Sequence, residues 1–426
     1  MTATISTYEA VHRELWPRQR VEQELFSSSA FLGLMRRDTD MGYKGKHIAL
    51  QYGRPQGRSR QFAKAQANTT SSQFEEFFVK PLDDYAIVKL EAKLVRSSRN
   101  PTEAFIVDVL ERETMSAMSA LRQSSSMNAC GDGTGVRGRV GPTGGTSITE
   151  SGGNTIIILA SPSDAKNFEL GQEIAAAATT TGTLRDSGAT YPVIGVNVAT
   201  GTVTLQGTAI TTSSFAINDY LFQDGDAANN SGVTPMLSGF FGWIPNADPT
   251  AGDNFFGVDR SAFPNHLAGF RFTAAGMSTT TIRATILQAA ARMSRIVDKA
   301  RAPNVCLMNP EDKGDFLDEL EVANVWNETI ERRGEDANLY YQGIRVQTPI
   351  GPIDVFDEPQ WPKGRVGLVN PAHWALHTIG DQPEWDEMGG GRFRKNESAD
   401  TYEARAVIHP QVSCDAPLYQ ANVLLP

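Results

Sequence analysis

The chain has 426 residues, 40% apolar and 21% charged, with a formal net charge of −10. That length allows two or three domains at ~150 residues each, and the composition excludes wholesale disorder. No apolar run approaches the ~18 residues of a membrane helix, and the acidic balance argues against tight or sequence-reading capture of nucleic acid by counterion release.

Ser6 to Glu9 reads S-x-x-E, in which a serine caps a helix and a glutamate three residues on reaches back to it. Pro17 keeps that helix short. Only scattered apolar anchors follow up to Met35 (Val21, Leu25, Phe26, Phe31, Leu32), the pattern of an arm that packs on something else. Glu9, His12, Arg13 and Glu14 stand where a secretory signal needs an apolar run, so export by that route is not expected.

His47 to Tyr52 alternates, with Ile48, Leu50 and Tyr52 on one face. Tyr85 to Val95 alternates more strongly, with Val88, Leu90, Ala92 and Leu94 opposite Lys89, Glu91 and Lys93. Period two argues for half-buried strands. Between them Gly53 to Gln73 is basic, polar and nearly free of aliphatic residues. Two strands joined by such a tip predict a long hairpin, reaching roughly 50–65 Å if each arm holds about 15–20 residues. A lone two-stranded hairpin is marginal in water, so this one is expected to lie on another surface, that of a second subunit.

Asn100-Pro101-Thr102-Glu103 starts a helix with a cap, a proline at its first position and a glutamate at its third. Ile106, Leu110, Ala117 and Leu121 continue it at helical spacing to about Met127. A glycine-rich exit, CGDGTGVRGRVGPTGG, reads as flexible. From Thr146 to Asp226 only ten residues are charged. Short β-branched runs (Ile156–Leu159, Tyr191–Val198, Thr202–Leu205) alternate there with turn signals, predicting a small inserted β domain. Residues 236–276 are loop-rich and aromatic. Thr279-Thr280-Thr281 caps a helix to about Arg301, with a stripe of Ile282, Ile286, Ala290, Met293 and Val297. Val305–Met308 is a short buried strand, and an acidic helix follows Asn309-Pro310. Ile344–Thr348 and Ile353–Phe356 bracket a hairpin turn, Arg365–Val369 is a strand, and Tyr402–Ile408 and Ala421–Leu425 are extended. Segregated helices and mixed strands make the class α+β.

The search for chemistry returns little. Gly133, Gly135 and Gly138 match G-x-G-x-x-G, but a helix precedes them where dinucleotide binding needs a strand. His373 and His377 are four apart, with no neighbouring glutamate and no third ligand for a metal. Asp224-Gly225-Asp226 with Asn229 and Asn230 lacks the spacing of a calcium loop. Asp312, Asp315, Asp318, Glu319 and Glu321 share one helix, which makes a solvated face and not a converging acid–base pair. Cys130, Cys306 and Cys414 are far apart and read as reduced thiols. No enzyme, cofactor or metal is expected. The charge, however, is asymmetric. Arg36 to Lys64 holds eight basic residues against two acids, and Glu311 to Asp336 ten acids against three bases. Two solvated surfaces explain this; so do complementary patches that meet between copies of the chain.

The order of parts (arm, basic hairpin, capped spine helix, glycine exit, α+β domain closed by returning strands) resembles the major capsid proteins of tailed bacteriophages. So do CGDGTGVRG, DRSAFPNHLAG (Asp259 to Gly269), RAPNVCLMNPEDKGDFLDEL (Arg301 to Leu320) and the closing series GPIDVFDEP, GRVGLVN and GGGRFRKNESADTYEARAVI. The resemblance implies an N-terminal arm (residues 1–42), an extended hairpin loop overlapping the neighbour (43–99), and a spine helix with peripheral domain (100–145). It further implies an inserted β domain (146–235), a loop-rich peripheral segment (236–276), an axial domain (277–378) and returning peripheral strands (379–426). Arg54, Arg58, Arg60, Lys64, Phe74 and Phe77 become the expected intersubunit contacts. The implied function is an icosahedral head shell around double-stranded DNA, assembled in the host cytoplasm. Its implied partners are the chain itself as hexamers and pentamers, a portal protein, a scaffolding protein (or the insert itself) in place of the long cleaved leader of many relatives, a decoration protein, and DNA by non-specific contact; no membrane is expected. Two other readings remain: an encapsulin-type compartment, which shares the fold and encloses enzymes, and a secreted β-rich adhesin.

Overall fold

A computed structural model describes residues 29–93, 107–141, 147–207, 214–229, 235–322, 328–333, 340–380, 384–386, 394–395 and 399–426. The S-x-x-E cap at Ser6 and the Asn100–Glu103 cap lie outside these residues.

The largest sheet is mixed and seven-stranded. Its order is Phe270–Thr273, Ala421–Leu424, Arg365–Val369, Val305–Met308, Gly351–Asp357, Tyr340–Thr348 and Glu328–Arg333. Its middle strand is buried on both faces, which is why it reads as four apolar residues in succession. Cys306 and Met308 face helices Ile282–Met293 and Pro310–Val322 through Ile286, Met293, Phe316 and Leu320. Val305 and Leu307 face an aromatic core of Phe240, Trp243, Trp361 and Trp374. Thr281 caps the first of those helices by accepting the Ala284 N–H at 3.2 Å. The helix stops at Met293, earlier than its apolar spacing predicts, though Val297 beyond it is still buried. Thr348 pairs with Gly351 at the expected hairpin turn.

The inserted β segment is a seven-stranded sheet in the order Val136–Arg139, Tyr220–Gln223, Glu173–Ala177, Tyr191–Asn197, Thr202–Gln206, Asn154–Ile158 and Ile148–Ser151. Val140 bridges Leu159, and the Gly141 N–H donates to the Ile158 carbonyl at 2.8 Å, so the first strand meets the sixth and the sheet closes. Closure leaves few free edges. Ile157, Leu159, Val193, Val203, Leu205 and Leu221 fill the interior. The glycine-rich exit is therefore not a loose connector, because it supplies the first strand. Gly133 sits at φ +88°, and a Cβ there would meet the Ser238 Oγ at 2.6 Å; the turn needs glycine for both reasons.

The hairpin differs from expectation in partner, length and support. Lys46–Gly53 pairs with Gln73–Val79, in register from Lys46↔Val79 to Gly53↔Gln73. The alternating segment at Asp84–Glu91 instead pairs with the returning strand Thr401–Ile408. Arms of eight and seven residues reach about 26 Å at ~3.3 Å per residue, half the expected span. The inner face, with Leu50, Phe77 and Val79, belongs to the chain's own aromatic core. The inner face of the strands thus rests on its own body, while their outer face and the tip are exposed.

The arm is corrected in the same direction over its described part. Ser29 caps the short helix Ala30–Leu34, whose Phe31 stands edge-on to Phe240, Trp361 and Trp374 at 6.1, 6.1 and 5.2 Å. Glu358, fully buried, accepts the Phe31 N–H at 2.9 Å and the Ser29 hydroxyl at 3.1 Å. Residues 29–35 are core, not a free arm. The spine helix Val107–Cys130 has 24 residues, about 36 Å. Its Leu121 packs on Ala406 and Ile408 beneath the Asp84–Glu91 strand.

Candidate assembly surface

The hairpin tip combines charge, exposure and exposed aromatic surface. Arg54, Arg58, Arg60 and Lys64 are all exposed, and no carboxylate occurs between Gly53 and Gln73. Within the tip Phe62–Ala67 forms a six-residue helix, none of whose residues is buried. The Thr70 N–H donates to the Gln56 carbonyl at 2.8 Å and ties the tip across its base. An isolated helix of that length is well below the ~12–15 residues needed for stability in water.

Phe74 is 61% exposed and points away from the body. Phe77 does not: it is fully buried, 5.1 Å from Trp243 and 6.5 Å from Phe255. It is withdrawn from the expected contact set, because the strand period places residues 75, 77 and 79 on the inner face. Phe62 is not among the expected contacts, yet it is 83% exposed and the single aromatic of a polar tip. At the root, Tyr52 lies 4.7 Å from Phe263, and Arg54 sits close enough to His266 to add to the lowering of its pKa by burial.

The acidic helix Pro310–Val322 is only partly a free surface. Glu319 accepts the N–H groups of Ile282 and Arg283 at 2.8 and 2.9 Å, and Asp312, buried, accepts that of Gly364 at 2.8 Å. Glu311 pairs with Lys363 at 2.6 Å. Asp315, Asp318 and Glu321 face solvent. Two of the acids are thus fold-holding hydrogen-bond acceptors.

The other constellations resolve as structure. His373 lies in a short 3-10 turn, its Nδ1 2.7 Å from the Asp415 carboxylate, while His377 is buried on the strand Trp374–His377 with its Nε2 2.7 Å from the Ser413 hydroxyl. They share no helix face. Asp226 receives Arg137 at 3.4 Å. All three thiols are free and buried, and burial pushes their pKa values up, away from reactive thiolates. Among the described residues no group of three metal-ligating side chains converges, and no helix is long and apolar enough to cross a membrane.

No family model and no curated protein matches the chain. Solved structures do. A chain of the cyanophage A-1(L) capsid asymmetric unit aligns with a TM-score of 0.51 at 13% identity, covering 93% of this chain and 92% of that one. A chain of the capsid of cyanophage P-SCSP1u aligns at 0.42 and 8% identity, over 93% and 88%. The holo-SrpI encapsulin complex of Synechococcus elongatus PCC 7942 aligns at 0.45 and 8%, over 100% and 95%. The mixed α+β architecture matches that of the cyanophage capsid chain, and the chain has the phage capsid fold.

Proposed function

We propose that this chain is the major capsid protein of a tailed bacteriophage, many copies of which form a closed icosahedral shell around double-stranded DNA. The observation that carries the reading is the alignment of nearly the whole chain with a cyanophage capsid chain, together with a basic tip whose short helix has no buried residue. Hexamers and pentamers of the chain are the proposed assembly units. A portal, a scaffolding protein and a decoration protein are its proposed further partners, and host cytoplasm is the proposed site of assembly. The role is structural, not enzymatic. At ~25 cal/mol per Å² of apolar area, each contact is modest, and the number of neighbours per subunit makes the container durable. The tip supplies only part of such a contact, since the hairpin strands already rest on their own core. An acidic lumenal face would let DNA pack without adhering.

Negative-stain microscopy of the purified protein tests the reading. Closed, uniform shells are expected from the intact chain. Removal of residues 54–72 is expected to leave a folded subunit, with the core pairing of Leu50, Phe77 and Val79 intact, that makes no stable shell. Normal particles from that deletion refute the role of the tip. Native particles filled with a cargo enzyme instead of DNA favour the encapsulin reading.

A further inference from the structure

Four segments distant in sequence meet at one buried carboxyl. Glu358 accepts the Ser29 hydroxyl at 3.1 Å and the Phe31 N–H at 2.9 Å with one oxygen, and the Gln360 N–H at 3.3 Å with the other. The insert brings a cation to the same place. Its 3-10 turn Pro162–Asn167 is held to the closed sheet by Ala165 and Phe168 in the interior, and by the Asn167 side-chain amide, which donates to the Arg137 carbonyl at 2.8 Å. From that turn the half-buried Lys166 ammonium donates to the Pro359 carbonyl, one residue beyond Glu358. The other ionisable groups around the pair come from three elements. Asp164, on the same turn, has its carboxyl raised to about 6, chiefly by burial. Cys130, at the end of the spine helix, is a buried thiol pushed well up, and Glu311 is taken by Lys363 at 2.6 Å.

Ser29 and Phe31 lie directly on the carboxyl, so lifting their segment readmits water to it. Burial is the first cause that carries Glu358 from 4.5 to about 7, and Lys166 is among the groups that oppose it. An ionised Glu358 therefore loosens the seated segment, by an amount that grows as pH rises from about 4.5 to about 7. The Lys166 ammonium reduces that loss, because it stabilises the charged carboxylate where water is excluded. We propose that the insert locks the N-terminal segment in place: while it keeps Lys166 beside Glu358, residues 29–35 stay seated above neutral pH, and displacement of the insert releases them. The coupling is reciprocal, so a seated segment also holds the insert. It acts through the charged carboxylate and vanishes where Glu358 is protonated. The inference concerns the subunit itself and does not depend on the shell reading.

Hydrogen exchange on the dispersed full-length chain tests the lock, with rates corrected for the intrinsic effect of pH. The reporting amides are those of Phe31, Leu32, Gly33 and Met35, all hydrogen-bonded in the seated segment. Wild type is expected to lose protection there between pH 5 and pH 8. Lys166→Met is expected to match wild type at pH 5 and to be about tenfold less protected at pH 8. In a Glu358→Gln background the same change is expected to lower protection no more at pH 8 than at pH 5. Equal protection of Lys166→Met and wild type at pH 8 overturns the proposal. So does an equal loss at both pH values, which is what a purely structural donor to Pro359 would give. A wild-type profile that is flat from pH 5 to pH 8 overturns it too, and that measurement needs no variant to fold.

Discussion

Asp84→Asn relieves the subunit of a largely buried charge, and the gain it brings depends on pH with a definite sign. The carboxyl of Asp84 is raised from 3.8 to about 6, chiefly by burial and then by Asp226, with the Ser124 hydroxyl and Arg137 opposing. A folded-state pKa above the unfolded value means the folded chain holds the extra proton between those limits. Stability from this group is therefore fully present below pH ~4 and lost as pH rises through about 6. A shift of about two units is worth on the order of 3 kcal/mol at neutral pH. Asparagine removes the charge and keeps an oxygen for Ser124. Urea unfolding of the dispersed subunit should show the variant more stable than wild type by about 1–3 kcal/mol at pH 7, with the gap closing toward pH 4. A variant subunit less stable than wild type at pH 7, or a gap that persists to pH 4, refutes the assignment of a strained carboxylate.

Phe77→Ala empties a fully buried site beside Trp243 and should cost about 3–5 kcal/mol in urea unfolding. Phe74→Ala, three residues toward the tip, on the opposite face and 61% exposed, should leave the subunit within about 0.5 kcal/mol and lower shell yield instead. Glu358 carries its carboxyl at about 7, raised by burial against the Phe31, Gln360 and Ser29 donors and Lys166. Its stabilising contribution is complete below pH ~4.5 and lost through about 7, so Glu358→Gln should flatten the stability profile between pH 5 and 8 by about 3 kcal/mol. Glu358→Ala should also orphan the Phe31 N–H, cost a further 1–3 kcal/mol, and speed tryptic cleavage at Arg36 and Arg37 in timed digests.

Side-chain period made the faces of the strands legible but not their partners. Ile48, Leu50 and Tyr52 do share the inner face, and Val88 and Leu90 are buried opposite Lys89. A period of two says which way a residue points and nothing about which strand lies beside it. The true partner of Lys46–Gly53 was hidden because QFEEFFV carries aromatics on both faces, with Phe74 and Phe78 outward and Phe77 inward. Val136–Arg139 was hidden by its glycine-rich flanks, and its place in the barrel comes from long-range pairing with Tyr220–Gln223. The convergence of Asp84, Glu169 and Asp226 on one pocket was not legible at all, because they stand on separate elements far apart in sequence and each alone reads as a turn or strand-end acid.

On the proposed shell reading, dependence on neighbours concentrates at the tip. A hairpin that used both faces within its own subunit would have nothing to offer a lattice, and one that used neither would not hold its shape before assembly. Here Leu50, Phe77 and Val79 anchor the strands to the aromatic core, which fixes the direction in which the tip projects. Phe62–Ala67 then forms one short helix with no buried residue, a state that Phe62 and four cations leave incomplete. Rigidity at the root lowers the ordering cost of contact at the far end, because the approach is already aimed. Affinity should therefore track root packing as well as tip chemistry: loosening Tyr52 from Phe263, 4.7 Å apart, weakens assembly without touching a residue that meets the neighbour.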